Sequence, residues 1–102
     1  MAEQMPAAEH VFEEAEEDLN AAAEFYESRE PGLGETFLDE VSLCFDRIQQ
    51  YPLLGTPLFD EFRRLPAQRF PYSVIYRIDN ESIFILAIAH SSRRPGYWRH
   101  RK

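Results

Sequence analysis

Two apolar runs of strand length, residues 72–78 and 82–89, follow one another in the second half of the chain. β-Branched and aromatic side chains dominate both runs, which is typical of β-strands. The residues between them include Asn80, a residue type that tolerates positive φ, so the pattern predicts a tight antiparallel hairpin. Because nearly every position in the two runs is apolar, we expect both faces of the hairpin to be partly covered.

Two segments before the hairpin show the helical spacing of apolar residues. The first begins at Glu13, and its apolar face consists of Ala15, Leu19, Ala22, Ala23 and Tyr26. The second covers residues 35–50, and its broader stripe consists of Phe37, Leu38, Val41, Cys44, Phe45 and Ile48. Residues 30–34 contain one proline and two glycines, which end the first helix and permit a reversal. The pattern therefore predicts an antiparallel helical hairpin.

The remaining segments carry weaker signals. We expect residues 1–8 to be flexible, residues 10–12 to form a short edge strand, and residues 62–70 to form a strand with a bulge. Residues 93–100 are expected to form a turn and one helical turn. The order of elements predicts a single α+β domain over residues 1–102, in which the helical hairpin packs on one face of a small antiparallel β-sheet.

Alternation along the first hairpin strand assigns its side chains to two faces. One face is expected to form the core between helices and sheet, with contributions from Leu19, Phe37, Val41, Phe45, Ile48, Tyr72, Val74, Tyr76 and Ile78. The opposite face carries Ser73, Ile75 and Arg77. It is the more polar of the two, and we expect it to form an open groove.

Charge is distributed unevenly along the 102 residues. Residues 1–46 hold 14 acidic side chains and one arginine, whereas residues 47–102 hold 10 basic and 4 acidic side chains, so that −13 and +6 give the net charge of −7. We therefore do not expect the protein as a whole to prefer nucleic acid, although a local basic surface in the second half is compatible with the composition. The acidic run at the start of the first helix is interpreted as a solvated face, with a docking patch for a basic partner as the alternative.

Cysteine and hydropathy patterns bear on the cellular setting. The single Cys44 cannot form an internal disulfide, which favours a reducing, cytoplasmic location. Cys44 lies on the apolar stripe of the second helix, so we interpret it as a core residue and not as a nucleophile. No apolar run approaches the roughly 20 residues needed to span a bilayer, and we expect no membrane association.

Known catalytic signatures are absent from the sequence. It has no phosphate-binding loop, dinucleotide fingerprint, zinc pattern or nucleophile elbow, and its three histidines lack ligand spacing, so we expect no metal and no cofactor. The remaining candidates are cationic and aromatic side chains of the second half: Arg63, Arg64, Arg69, Arg77, His90, Arg93, Arg94, Tyr97, Trp98 and Arg99. Such a set suits the cleavage of RNA, with guanidinium groups around the phosphate and His90 as general acid or base.

The same set also suits a protein-binding surface, since arginine, tyrosine and tryptophan are favoured anchors. Simpler structural roles compete with both functions. His90 can be a strand-end residue bonded to nearby backbone, Tyr97 and Trp98 can seal the core, and Arg69 can pair with the acidic helices.

A series of residues along the chain points to a known family. In the first half they are Leu19, Tyr26, residues 31–34, Phe37, Leu38, Ile48 and Pro52. In the second half they are residues 69–72, 75–77, 89–90, 93–95 and 97–98. In combination they resemble the RelE/ParE superfamily of small toxins from bacterial type II toxin–antitoxin modules. The resemblance covers about residues 13–101, and the superfamily fold, two helices on a curved antiparallel sheet, agrees with the predicted elements.

The resemblance implies a growth-inhibiting toxin that is held inactive by a co-expressed antitoxin, with a role in plasmid stabilisation. RelE-like members cut mRNA on the ribosome, whereas ParE-like members inhibit DNA gyrase without cutting RNA. This chain has Ser73 and Ser92 where RelE-like nucleases have arginine, and its one lysine is Lys102. An acidic chain also binds a polyanion poorly. These departures favour the ParE-like branch, a non-catalytic inhibitor of a protein target.

The two branches assign different roles to the candidate residues. In a ParE-like inhibitor, the target would be bound by the C-terminal residues Arg93, Arg94, Tyr97, Trp98 and Arg99. In a ribosome-dependent endoribonuclease, the catalytic set would be His90, Arg69, Arg93 and Tyr97. An inert member that only binds its antitoxin is a further alternative.

The partner implied by either branch is a cognate antitoxin. We expect a segment of it to cover the groove at Ser73, Ile75 and Arg77 and the outer surface of the helical hairpin, because the sheet is apolar on both faces and the helices suffice for only one. Direct DNA binding is not expected without the antitoxin.

Overall fold

The computed structural model describes residues 8–101. Along the chain it contains β1 (Ala8–Val11), α1 (Glu13–Arg29), α2 (Leu33–Gln50), β2 (Thr56–Pro57), β3 (Phe62–Pro66), β4 (Tyr72–Asp79), β5 (Ser82–His90) and a terminal 3-10 helix (Arg99–Arg101). The predicted helical hairpin and β-hairpin are both confirmed. Of the predicted flexible lead-in, residues 1–7 lie outside the described residues, and Ala8 already begins β1. Within residues 8–101, no helix combines the length and apolarity that a membrane crossing requires.

The five strands form one sheet in the order β1-β5-β4-β3-β2. All neighbours are antiparallel except β1, which runs parallel to β5 from Ala8↔Ser82 to Val11↔Ile85. The predicted α+β class is confirmed, whereas the sheet is mixed and not purely antiparallel. Both helices and strands β2 to β4 lie between β1 and β5 in the sequence. A connection of this length allows β5 to run in the same direction as β1 beside it. The predicted edge strand at residues 10–12 is confirmed for His10 and Val11, and Phe12 is the N-cap of α1.

The turn between β4 and β5 has the geometry that its sequence predicts. Asn80 and Glu81 have φ values of 51° and 68°, and Asp79 pairs with Ser82 in the register. Positive φ at both central positions is typical of a type I′ turn, whose twist matches that of the flanking strands.

A bulge occurs in β5, at a position where no sequence pattern predicts one. Ile75 pairs with Ala87, but its neighbour Tyr76 pairs with Ile85, so that Leu86 is an extra residue in β5. The bulge places Leu86 and Ala87 on the same face of the sheet, while Ile85 and Ile88 remain on the other. The bulge predicted within residues 62–70 is wrong, because β3 pairs with β4 in one continuous register from Phe62↔Arg77 to Pro66↔Ser73, and the chain leaves the strand after Pro66.

The face of the sheet that carries Val74 and Tyr76 packs on both helices and forms the helix-side core. All residues predicted for this core contribute to it. Phe37, Val41, Ile48, Val74 and Tyr76 are at most 1% exposed, and partly buried Leu19, Phe45, Tyr72 and Ile78 pack against them. Cys44 is 3% exposed, which confirms its core position, and burial raises the pKa of its thiol.

The opposite face of the sheet is covered by the chain itself. Its buried residues are Phe62, Ile75, Leu86, Ala87 and Trp98, which form the C-terminal core. The cover comes from residues 91–101, here called the C-terminal segment, together with half-buried Leu58 and Phe59. The predicted open groove on this face is therefore corrected: Ile75 is 2% exposed because Trp98 and its neighbours lie over the sheet.

A buried tyrosine fastens the loop after α2 to the sheet. The hydroxyl of Tyr76 donates to the carbonyl oxygen of Pro52 at 2.7 Å and accepts the N–H of Gly55 at 2.8 Å. A Cβ atom at Gly55 would lie only 2.6 Å from that hydroxyl oxygen, so the position requires glycine. Burial raises the pKa of Tyr76, which keeps its hydroxyl protonated and able to donate.

We predict that Tyr76→Phe lowers the free energy of unfolding by about 1–3 kcal/mol, because it leaves the Gly55 N–H and the Pro52 carbonyl without a buried partner. Urea unfolding followed by circular dichroism measures the change. Tyr51→Phe is the matched control, since Tyr51 is 62% exposed, and should change stability by less than about 0.5 kcal/mol. Equal stability of the two variants would contradict the role given to the Tyr76 hydroxyl.

Candidate functional site

The C-terminal segment leaves β5 through tight turns and returns across the sheet. Ser91 N–H donates to the carbonyl oxygen of Pro71 at 2.8 Å, and Arg93 N–H donates to that of His90 at 3.0 Å. Gly96 has a φ of 83°, and a Cβ atom there would lie 3.0 Å from the ring of Phe59. The segment is therefore bent sharply enough to bring the following residue, Tyr97, and then Trp98 back onto the sheet.

Trp98 is part of the C-terminal core and is only 3% exposed. Its ring stacks on Phe59 with centroids 5.6 Å apart and meets the ring of Phe62 edge-on at 4.8 Å. The sequence predicts Trp98 as an anchor for a target protein, but its ring is packed into this core and only a small part of it remains exposed. Its packing role is to hold the C-terminal segment on the sheet, which corrects that assignment.

An ion pair fixes the end of the C-terminal segment to α1. Arg101 Nη1 donates to Asp18 Oδ2 at 2.8 Å and to the carbonyl oxygen of Leu86 at 3.0 Å. The same Asp18 oxygen accepts the N–H of Ile88 at 3.1 Å. The two side chains are 19% and 11% exposed for Asp18 and Arg101 respectively. The last hydrogen bond between the N-terminal part of the chain and β5 runs from the Phe12 N–H to the Ile85 carbonyl oxygen. Beyond this point, Asp18 and Arg101 satisfy the backbone groups at the outer edge of β5.

This pair is not predicted from the sequence, because Asp18 belongs to an acidic run that is typical of a solvated helix face. The available signal was its position: Asp18 follows Ala15 by three residues and precedes Ala22 by four, so it lies on the buried side of α1. Burial opposes the charge of Arg101, but the hydrogen bond to Asp18 and its negative charge leave the pKa of Arg101 above its usual value.

Tyr97 lies between cationic side chains of the same segment. The guanidinium carbons of Arg93 and Arg101 are 3.9 Å and 5.3 Å from its ring centroid. Burial and the negative charge of Asp18 raise the pKa of Tyr97, and the two arginines oppose this only in part. The hydroxyl is therefore protonated at neutral pH and cannot act as a general base there.

His90 ends β5 and is bonded to its own neighbour. Its Nδ1 accepts the N–H of Ser92 at 2.9 Å and lies 2.8 Å from the Ser92 hydroxyl. Its ring also meets Tyr72 edge-on at 4.9 Å. Because Nδ1 accepts a backbone N–H, the neutral ring carries its proton on Nε2. The geometry agrees with the interpretation of His90 as a strand-end residue bonded to nearby backbone.

A cleft of about 150 Å³ lies between the C-terminal segment, the loop before β3 and the uncovered end of the sheet. Its floor is apolar and includes Ile75 and Trp98, and its rim carries three arginines, Arg64, Arg93 and Arg94. We call it the cationic cleft. Ser73, Ser91 and His90 add polar side chains to its lining.

The structure brings some predicted site residues together and separates others. Of the nuclease set, His90, Arg93 and Tyr97 line a common cleft, while Arg69 is exposed in the loop between β3 and β4 and lines none of the described clefts. Of the target-binding set, Arg99 is apart from the cationic cleft and pairs with Asp60 at 2.9 Å.

The three residues predicted for the antitoxin groove do not line one groove. Ser73 and Ile75 belong to the cationic cleft. Arg77 lies in a separate depression with Arg99, and its guanidinium carbon is 4.4 Å from the ring centroid of Phe84. Within residues 8–101, no cluster of three or more histidine, cysteine, aspartate or glutamate side chains could hold a metal ion.

We predict that Asp18→Ala lowers the free energy of unfolding by about 2–4 kcal/mol, because it leaves Arg101 and the Ile88 N–H without their shared acceptor. The measurement is urea unfolding, combined with hydrogen exchange of the Ile88 amide, which should accelerate. Glu17→Ala is the matched control, since Glu17 is the exposed acidic neighbour in the same helix. If both variants exchange and unfold alike, the ion pair does not hold the edge of β5.

Residues 12–95 match the family model described as the ParE toxin of the type II toxin–antitoxin system parDE. The chain is 35% identical over 89 residues to Toxin ParE2 of Mycobacterium tuberculosis strain CDC 1551 / Oshkosh, covering 83% of this chain and 82% of that protein. The protein of the same name from strain ATCC 25618 / H37Rv matches with the same values.

Solved structures agree in fold. A chain of the chromosomal ParDE system from P. aeruginosa superposes with a TM-score of 0.74 at 23% identity, covering 82% of this chain and 95% of that one. A chain of the RelBE2 toxin–antitoxin complex from Mycobacterium tuberculosis gives a TM-score of 0.57 at 25% identity, covering 84% and 99%. The resemblance to the RelE/ParE superfamily is thereby confirmed. Because the family model covers most of the chain and the curated relatives are this similar, the chain belongs to the ParE toxin family of type II toxin–antitoxin systems.

Proposed function

We propose that this protein is a growth-inhibiting toxin that acts by binding a protein target, DNA gyrase, and that a cognate antitoxin neutralises it. The main support for this proposal is the fixed position of the C-terminal segment. It is held on the sheet by Trp98 at one point and by the Asp18–Arg101 pair at its end, and it presents Arg93, Arg94 and half-buried Tyr97 around the cationic cleft. A preorganised surface with arginine and tyrosine is typical of protein-binding sites, because little conformational entropy is lost on binding.

The structural relatives support an antitoxin as partner, since one comes from a ParDE system and the other from a RelBE2 toxin–antitoxin complex. The C-terminal segment covers most of the groove predicted at Ile75 and leaves only the cationic cleft. We therefore assign the antitoxin to the outer surface of the helical hairpin and the loop after it. Large apolar side chains are exposed there: Phe25, Leu38, Leu43, Tyr51, Leu53 and Leu54. Segments of partner proteins commonly order on such surfaces.

A ribosome-dependent endoribonuclease is the second candidate, because His90, Arg93 and Tyr97 lie around a common cleft. Three features weigh against it. Arg69 lies outside the cleft, Nδ1 of His90 is engaged by the Ser92 N–H, and Tyr97 is protonated at neutral pH. Proton transfer would depend on Nε2 of His90 alone, whereas a binding surface requires no such group.

We predict that expression of the chain without an antitoxin arrests growth with filamentation and DNA-damage signalling while messages stay intact. Microscopy, a damage-responsive reporter and primer extension on abundant messages, followed over minutes, measure the three features. Rapid loss of translation with cleaved messages would contradict the binding hypothesis and support the nuclease. Unimpeded growth at a verified protein level would identify an inert member that only binds its antitoxin.

We predict that His90→Asn retains inhibition of gyrase supercoiling, because the asparagine oxygen can still accept the Ser92 N–H while the ring that could transfer protons is lost. A nuclease would lose activity by a factor of about 10²–10⁴ in the same variant.

We predict that the double variant Arg93→Ala/Arg94→Ala weakens inhibition of gyrase supercoiling about tenfold or more, because both arginines are proposed anchors for the target.

Arg47→Ala serves as the control for the double variant, since Arg47 is an exposed arginine of α2, which packs on the face of the sheet opposite to the C-terminal segment. Inhibition by purified protein that does not depend on Arg93 and Arg94 would show that another surface binds the target.

A further inference from the structure

The cationic cleft carries a charge opposite to that of the protein as a whole. The chain has a net charge of −7, yet the residues that line the cleft include Arg64, Arg93 and Arg94 and not one aspartate or glutamate. The fold thus gathers positive charge from β3 and from the C-terminal segment at one place, although these residues are about 30 positions apart in the sequence.

These three arginines are also uncompensated. The ion pairs among residues 8–101 involve Arg77 with Asp79, Arg99 with Asp60 and Arg101 with Asp18, so the rim of the cationic cleft has no carboxylate partner within the described part of the chain. Arg64, Arg93 and Arg94 are exposed, and the guanidinium of Arg93 is oriented by its contact with the Tyr97 ring, which leaves its N–H groups available to an acceptor.

The floor of the cleft is apolar and fixed. Ile75 and Trp98 are 2% and 3% exposed, and Leu58 and Phe59 form apolar parts of the wall. The volume of about 150 Å³ is similar to that of an apolar protein cavity of about 150 Å³ that binds benzene, so the cleft has room for one aliphatic or aromatic side chain. Apolar floor and cationic rim together require a ligand that has an apolar group flanked by negative charge.

We propose that the cationic cleft binds a short acidic segment of a protein partner, with one apolar side chain on the floor at Ile75 and Trp98 and flanking carboxylates on Arg64, Arg93 and Arg94. Guanidinium groups bind carboxylates through paired, charge-assisted hydrogen bonds, which gives such a site both affinity and orientation. The inference rests on the proposed function, because it names the chemistry of the partner that the C-terminal segment would recognise.

RNA fits the cleft less well than a peptide does. A polynucleotide extends beyond the cleft and meets the negative potential of the acidic helices, which weakens its binding. Bases also bind single-strand sites by stacking on exposed aromatic faces. Here Trp98 is buried, Phe59 stacks on Trp98 and has Arg99 over its ring, and Arg93 lies over the ring of Tyr97. These rings therefore offer little free face for a base.

The test is fluorescence polarisation of the purified full chain with labelled, end-blocked probes. The probe of the proposed chemistry is the peptide Asp-Glu-Phe-Glu-Asp. Its controls are Asn-Gln-Phe-Gln-Asn, which lacks the charges, Asp-Glu-Ser-Glu-Asp, which lacks the apolar side chain, and a five-nucleotide uridine RNA. We expect the first peptide to bind more tightly than every control, and its affinity to fall as salt rises from 50 to 500 mM, since ions screen the carboxylate–arginine attraction.

Variants locate the binding. Arg64→Gln and Arg94→Gln should each weaken binding of the acidic peptide about two- to fivefold, as expected for exposed ion pairs, and the double variant should weaken it by roughly the product. Arg47→Gln removes the same charge from α2 and should leave the affinity unchanged. All three positions are exposed, so these variants are expected to fold, and circular dichroism checks this.

Four results would overturn the inference: no binding at millimolar peptide, equal binding of the neutral peptide, tighter binding of the RNA, or an equal loss with Arg47→Gln. The outcome is separable from that of the proposed function. Peptide binding requires no toxicity, so growth arrest with intact messages but no acidic-peptide binding would reject this inference alone. Peptide binding without growth arrest would reject the toxin function and retain the cleft as a binding site.

Discussion

Unpaired backbone groups at the outer edge of β5 are hydrogen-bonded by side chains of α1 and of the C-terminal segment. The N-terminal strand accompanies β5 only as far as Ile85, and the outer edge of β5 then continues without a strand beside it in the described residues. Asp18 accepts the Ile88 N–H and Arg101 donates to the Leu86 carbonyl, so two side chains take the place of the missing strand. Since an unpaired buried backbone group costs about 1–3 kcal/mol, the contact of α1 with the C-terminal segment is tied to the stability of the central hairpin.

The bulge in β5 explains how one strand serves two cores. Ile85 and Ile88 face the helices, while Leu86 and Ala87 face the C-terminal segment, and all four are at most 3% exposed. Two helices suffice for one face of the sheet, and the second face depends on Trp98 and the residues around it. The C-terminal segment is therefore part of the folded core, and under the proposed function it is also the recognition surface. Substitutions within it are expected to affect folding unless they are confined to its exposed arginines.

The sequence predicted the parts of the fold that have a regular period or a distinctive turn. Helical spacing identified α1 and α2, and alternation with Asn80 identified the hairpin and its core-facing residues. The cover of the second face was not predicted, because the C-terminal segment is irregular and periodicity gives no information on where a turn-rich chain returns. The parallel pairing of β1 and the bulge at Leu86 arise from tertiary packing, which local preference does not specify.

The sequence predicted which residue types form the candidate site but not how they are arranged. The sequence does not show which arginines form ion pairs within the fold and which line a cleft. Arg99 and Arg101 are paired with aspartates, whereas Arg64, Arg93 and Arg94 surround one cleft and have no carboxylate partner among residues 8–101. At physiological salt, electrostatic interactions are screened over about 8 Å. The electrostatic energy of a ligand inside the cleft therefore depends mainly on these three charges. A long polyanion extends beyond the cleft and is also repelled by acidic side chains elsewhere on the protein. The same protein can therefore attract a local carboxylate and repel an extended nucleic acid, which a net charge of −7 alone would not indicate.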